Sequence, residues 1–333
     1  MKKFLLIATS ALMVFASCSK VNINYENDGQ PQEIGVFAVN KNMVKGAVSD
    51  GTFPTNYVMM VYSYLADGEG TVGEYFSNKE FTVSNGIWKG GQYWPVSAAT
   101  LNFLAVAPEV EDAVETSITN GVATVTVASN ETNQYDVMYA VGQASKSAGV
   151  APDANVSMTF NHALSWINFN FKTTNDASKV AIKINSITIN GATVNGTLTV
   201  TSSNYTNTST QAASASWSGT QSRSDITVPG ADAGLTLNSE YKTFGNGLLV
   251  VPVIASDFVI NYTITPNGGT AQTFNYTYTL TGTWDMAKKY TYNVSITLTE
   301  ITIAPEVDPW DDIDEKGTQD TSDDKPWGSD IEL

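Results

Sequence analysis

One cysteine, one histidine and one arginine occur in the 333 residues, and each shortage closes off a class of function. With Cys18 alone, no disulfide can form within the chain, so stability has to come from apolar burial. His162 and Cys18 together cannot supply the three or four ligands of a zinc site. Any Ser-His-Asp arrangement would have to use His162. That residue sits in FNHALSWINFNF, Phe160 to Phe171, at the mouth of an apolar strand, where a hydrogen-bonded structural histidine is the simpler reading. Positive charge is also scarce: 17 Lys and Arg against 33 Asp and Glu leave a net −16, which argues against a nucleic-acid partner. The sequence has no G-x-S-x-G, Walker-type or G-x-G-x-x-G segment. After the N-terminus, no apolar run reaches the roughly 20 residues of a membrane span, and no segment keeps a 3.6-residue period.

What is present begins with MKKFLLIATSALMVFASC. Lys2 and Lys3 are followed by an apolar run, Phe4 to Phe15, broken by Thr9 and Ser10, and then by Ala16, Ser17 and Cys18. This is the layout of a bacterial lipoprotein signal peptide, too short for a permanent span. Removal of residues 1–17 leaves Cys18 at the new terminus, its thiol and amino group acylated. Each buried CH₂ contributes roughly 0.8 kcal/mol, so two or more chains anchor stably. The alternative is an ordinary secretory signal with an incidental cysteine. Without the signal the net charge is −18, and half of it, −9, lies in Glu306 to Leu333.

The body of the chain reads as strands. In Thr273 to Leu280 the side chains Phe274, Tyr276, Tyr278 and Leu280 alternate with polar residues, which puts one set on a buried face. Tyr290, Tyr292, Val294, Ile296 and Leu298 repeat the pattern, but Ile301 and Ile303 are out of phase with them. A bulge or a crossing between sheets is therefore expected near Glu300. Further strand candidates are Ile34 to Val39, Tyr57 to Leu65, Leu101 to Val106, Val122 to Val127, Trp166 to Phe171, Val180 to Ile189, Leu248 to Ile254 and Phe258 to Thr265. Asn-Gly occurs at Asn85, Asn120, Asn190, Asn195, Asn246 and Asn267, and marks tight hairpin turns. Residues 258–280 are the most secure hairpin. Residues 201–225, rich in Ser, Thr, Asn and Ala, read as a long loop or weak edge strands. Gly142 to Asp153 is the candidate interdomain boundary. The resulting architecture is all-β: a signal peptide at 1–17, antiparallel β-sandwiches at 18–155 and 156–305, and an acidic tail at 306–333.

Two sets of residues invite a chemical test. Placing Asp312 at position 1 of a calcium loop puts Asp314 at 3, Gly317 at 6 and Asp323 at 12, but Lys316 then occupies a ligand position and repels the ion. A solvated acidic tail is the better reading, and no metal or other cofactor is expected. A pair of catalytic carboxylates is also unsupported, because no acid sits in an evident apolar pocket motif that would raise its pKa. Trp88, Tyr93 and Trp94 are read as core packing. Trp217 or Trp327 are aromatics that could bind a glycan.

Gly86 to Val110, GIWKGGQYWPVSAATLNFLAVAPEV, resembles the fimbrillin family of surface lipoproteins through Trp88, Tyr93, Trp94, Pro95, Leu101, Asn102, Phe103, Ala107 and Pro108. Tyr135-Asp136-Val137-Met138 and Met158 to Phe171 resemble the segments that open that family's second domain. Trp284, Tyr290, Tyr292 and Trp310 match its last strands. The resemblance implies two Greek-key, transthyretin-like β-sandwich domains and a non-enzymatic subunit of an outer-membrane fimbrium. Its partners would be other fimbrial subunits, with a host or bacterial surface ligand and the outer membrane through the lipid anchor. It further implies assembly by strand exchange after proteolysis. Here Glu33 to Asn40 would be the removable strand, and the basic residues before Ala47 are Lys41 and Lys45, where the family often has Arg. The tail after Trp310 lacks a period-2 apolar run, which speaks against its serving as a donor strand.

Overall fold

A computed structural model describes residues 32–310, apart from 41–52, 69–72, 98, 129–133, 148–154, 194, 204, 206–209, 219–222, 231–233 and 253–256. The described residues form strands and no helix. In chain order the first half carries β1 (Glu33–Asn40), β2 (Met59–Gly68), β3 (Gly73–Ser84), β4 (Ile87–Tyr93), β5 (Ala99–Ala107), β6 (Val114–Thr119), β7 (Val122–Ala128), β8 (Met138–Lys146) and β9 (Val156–His162). The second half carries β10 (Ser165–Lys172), β11 (Val180–Thr193), β12 (Asn195–Ser202), β13 (Ala213–Ser218), β14 (Arg223–Thr227), β15 (Leu235–Thr236), β16 (Lys242–Thr243), β17 (Leu248–Val250), β18 (Asp257–Pro266), β19 (Gln272–Thr279), β20 (Lys288–Ile296) and β21 (Ile301–Pro309).

Seven strands close a barrel in the order β1-β4-β3-β2-β5-β8-β9. Its interior is filled by side chains, among them Ile34, Val36, Phe53, Met59, Phe81, Trp88, Trp94, Phe103, Met158 and Phe160. β5 is buried along its whole length because it has a core on each side. Leu101, Phe103, Ala105 and Ala107 point into the barrel, while Leu104 and Val106 face a second core outside it. Burial on both faces produces the unbroken apolar run of that strand. The outer core lies beneath a four-stranded sheet, β13-β12-β7-β6, in which β7 of the first half pairs with β12 of the second. In the second half, the sheets β16-β10-β20-β21 and β14-β11-β18-β19 share a third core around Phe169, Ile182, Phe258, Tyr292 and Val294, with the short strands β17 and β15 attached to β10 and β11.

Some expected features meet a different geometry and others the expected one. The phase change near Glu300 is a hairpin: the Thr297 N–H donates to the Glu300 carbonyl at 2.8 Å, and Val294, Tyr292 and Tyr290 then face Ile303, Pro305 and Val307. Residue 156, where the second expected domain starts, begins β9, which pairs with both β8 and β1 to close the barrel. Gly142, in the expected boundary segment, lies inside β8. Residues 306–309, expected in the acidic tail, continue β21, and the remainder of that tail lies outside the described residues. Of the Asn-Gly pairs, Asn85-Gly86 and Asn120-Gly121 have positive φ at both residues and form the β3–β4 and β6–β7 turns. Asn190-Gly191 instead lies in an irregular stretch of β11, and Asn195-Gly196 starts β12. The hairpin expected at 258–280 is β18 and β19, and residues 201–225 include the edge strands β13 and β14.

Candidate functional site

The candidate site is the seat of β1. Ile34 and Val36 are fully buried in the barrel because alternate residues of the strand point inward, and Ala38 follows them on the same side. Two neighbours hold β1 in succession. Its first part is antiparallel to β4, pairing Glu33 with Tyr93, Gly35 with Lys89 and Val36 with Trp88. From Val36 to Asn40 it runs parallel to β9, pairing with Val156 to Phe160. The Trp94 N–H donates to the Gln32 carbonyl at 3.0 Å. The Glu33 carboxylate accepts from the Gly91 N–H at 3.0 Å and meets the Lys89 ammonium at 3.2 Å. Gly35 faces away from the interior where space is short. A Cβ there would come within 2.2 Å of Asn155 Oδ1 and 2.7 Å of Ile87 Cγ2, so any side chain at this register position must displace both neighbours and glycine fits best.

Phe53 lies against the same pair of flanking strands. Its ring centroid is 5.0 Å from that of Trp88 in β4 and 4.6 Å from that of Phe160 in β9. Tyr57 follows it: its main-chain carbonyl accepts from Trp88 Nε1 at 3.3 Å, and its hydroxyl oxygen accepts from the Asp136 N–H at 3.2 Å. Burial, then the nearby Asp136 carboxylate, push the Tyr57 phenol well above its ordinary value, so it stays neutral. The floor beneath β1 is thus built from residues that come after the expected cleavage positions.

Cys18, Lys41 and Lys45 lie outside the described residues, as do Trp327 and the calcium-loop candidates Asp312, Asp314, Gly317 and Asp323. His162 is completely buried, with Nδ1 3.0 Å from Asp136 Oδ1. Its ring stacks on Trp310 with centroids 4.0 Å apart and an interplanar angle of 1°. Trp310 is in turn tied to Ala287 by its main-chain N–H at 3.0 Å. The histidine therefore fastens the end of β21 to the barrel. Trp88 and Trp94 are buried in the barrel, as packing predicts. Trp217 is no exposed platform, because its Nε1 donates to the Ala163 carbonyl at 2.8 Å and its ring packs on the outer core. Among the described residues, no group of three or more His, Cys, Asp or Glu is placed to hold a metal ion.

Sequence reasoning missed β9 as the parallel partner of β1, since nothing in a strand's own alternation names its neighbour. It also missed Asn78. At a positive φ in β3, Asn78 donates from Nδ2 to the Ile118 carbonyl at 3.2 Å and accepts the Ile118 N–H at 2.6 Å, so a side chain replaces a ladder contact between barrel and β6. The Asn followed by Lys offered no turn signal.

These features agree with the comparisons to known proteins. A family model described as Fimbrillin-like matches residues 29–310, and the chain belongs to that family. The solved structure of a candidate cell adhesion protein from Bacteroides uniformis is similar, with a TM-score of 0.50 and 18% identity over 84% of this chain and 99% of that one. One from Bacteroides ovatus gives 0.47 and 15% over 84% and 98%. A candidate adhesin from Bacteroides thetaiotaomicron gives 0.35 and 10% over 84% and 96%. No curated protein matches the chain. Membership of the Fimbrillin-like family supports a fimbrial or adhesive protein of the cell surface.

Proposed function

We propose that the chain is a structural or adhesive subunit of a bacterial surface fimbrium, exported as a lipoprotein acylated at Cys18 and assembled by strand exchange after cleavage following Lys41 or Lys45. The observation that carries this reading is the seat of β1. One N-terminal strand closes the barrel, and the segment that follows it holds the two lysines. Its departure leaves unpaired edges on β4 and β9 and empties the places of Ile34, Val36 and Ala38, while Phe53 stays behind and still bridges the two strands. Unpaired edges and vacated apolar positions recruit another strand, since main-chain bonds supply affinity and alternate pockets supply register. The same groove selects its occupant: a donor needs apolar residues at alternate positions and glycine or an equally small residue opposite Lys89.

In this reading two Greek-key, transthyretin-like domains make up the body, and the place of β9 favours a division at the turn after His162 rather than at 155. Other subunits and a host or bacterial surface ligand are the partners, the outer membrane is reached through the lipid, and the protein has no enzymatic activity. The test is immunogold electron microscopy of surface-shear fractions from native cells, alongside labelling with a clickable palmitate. Filament decoration and palmitate labelling that Cys18→Ala abolishes are the expected results. A uniform surface signal without filaments moves the protein to a non-polymerising, glycan-binding surface lipoprotein, and membrane association and labelling unchanged by Cys18→Ala overturn the lipoprotein assignment.

A further inference from the structure

The outer face of the sheet containing β10, β20 and β21 holds a cleft of about 200 Å³. Strand register builds it. Trp166, Lys289 and Asp308 lie side by side across the three strands, and Asn168, Thr291 and Glu306 form the next row. Asn170 comes next, flanked by Thr243 and Asn293. The intervening residues Ile167, Phe169, Tyr290 and Tyr292 point the other way into the core, so alternation leaves this face almost wholly polar.

The rows differ in how far their hydrogen bonding is satisfied. Both amide atoms of Asn170 have partners: its Nδ2 donates to Asn293 Oδ1 at 3.0 Å, and its Oδ1 accepts from Thr243 Oγ1 at 2.9 Å. Asn168 differs. It is only 7% exposed and lines the cleft, but its Nδ2, which has no protein acceptor, is itself closed to water and to the cleft. Buried donors are rarely left so. Beside it the Lys289 ammonium lies 5.0 Å from the Trp166 ring centroid. Burial lowers the pKa of Lys289, and the Asp308 and Glu306 carboxylates pull it back up. Glu306 is exposed at the mouth.

Charge narrows the occupant. The ammonium between the rows repels a cation, and two carboxylates repel a phosphate or a carboxylate. An uncharged polyol suits the charged groups that reach the cleft, because hydroxyls can accept from Lys289 while donating to Glu306. The volume is below the roughly 300–1,000 Å³ of clefts that take drug-sized ligands, which leaves room for one ring. We propose that this cleft binds a single neutral pyranose, the terminal sugar of a surface glycan, with Lys289 Nζ as donor, Glu306 as acceptor and Trp166 closing the apolar end. The proposal deepens the adhesive side of the reading above and rests on it for its biological setting.

The test uses the full chain in detergent, with saturation-transfer NMR against methyl glycosides of galactose, mannose, fucose and N-acetylglucosamine, and with sialyllactose, inorganic phosphate and Ca²⁺ as charged probes. At least one neutral glycoside should bind with a millimolar Kd. Glu306→Ala, at an exposed position that leaves folding alone, should weaken it tenfold or more. Glu115→Ala, on the remote strand β6, should change nothing. The proposal is overturned if no neutral glycoside saturates, if Glu306→Ala binds as well as the parent, or if only sialyllactose, phosphate or Ca²⁺ binds. Failure here with filaments still decorated removes the cleft and leaves the subunit reading standing; sugar binding without filaments does the reverse.

Discussion

Strands β1 and β21 stand at the two ends of the described chain, and both carry apolar residues at alternate positions, yet they are held in different ways. β1 is paired on both sides, to β4 and β9, and Ile34 and Val36 are fully buried. Among the described residues β21 is paired to β20 alone, and Ile301, Ile303, Pro305 and Val307 are half-buried on its inner side. Proline is tolerated in β21 because an edge strand has one row of N–H groups that no neighbour needs. The contrast shows that alternation specifies a buried face but not how deeply the strand is embedded. Losing β21 would uncover one neighbour. Losing β1 would uncover two and break the barrel's closure, so of the two strands β1 is the one whose removal changes more of what the surface can bind.

The sharpest way to break this comparison is a charge on each strand. Val36→Asp places an unpaired carboxylate inside the barrel and should cost more than about 4 kcal/mol, or prevent folding. Ile303→Asp, at a half-buried edge position where the carboxylate can reach water, should cost about 1–2 kcal/mol. Urea unfolding followed by tryptophan fluorescence reads both. Equal losses would show that β1 is held no more firmly than β21.

A smaller effect sharpens the account at the β20–β21 end. The Tyr290 hydroxyl donates to the Thr283 carbonyl at 3.2 Å and accepts from the Asp285 N–H at 2.7 Å. Burial raises its pKa from 10.0 to about 12. A group whose pKa is raised by folding contributes stability that is complete below the unfolded value and is lost as pH rises through the folded one. Tyr290 therefore contributes to a fall in stability between pH 10 and about 12. Tyr290→Phe should cost about 1 kcal/mol at neutral pH, through the lost hydrogen bonds, and make that alkaline fall shallower. Thermal melts from pH 8 to 12 check both; an unchanged alkaline slope would place the titration elsewhere.

The all-β class and most strand positions were legible because alternation records which side of a residue meets the core. Val180 to Ile189 and Phe258 to Thr265 show this within β11 and β18. β5 was legible as a strand but not as a two-sided one, since the sheet over its outer face comes from β6, β7, β12 and β13, distant in the chain. The role of His162 could be read from its apolar context, whereas its partner Asp136 and the stacking of Trp310 depend on long-range packing. The strand Glu33–Asn40 was recognisable, but the parallel ladder that locks it to β9 was not, because pairing is a property of two segments. The polar cleft on β10, β20 and β21 was equally hidden: Asn168 and Glu306 become neighbours only through register.

The central claim, that β1 occupies a groove another strand can fill, is tested most directly by light scattering before and after limited trypsin treatment of chain expressed without its signal and Cys18. Intact-mass spectrometry should show cutting after Lys41 or Lys45 while the strand-rich body survives, because paired strands resist proteolysis. The cleaved protein should then grow from monomer into SDS-resistant ladders, and Lys41→Ala with Lys45→Ala should block both steps. Cleavage at those lysines with loss of β1, followed by a protein that stays monomeric at high concentration, would contradict the account.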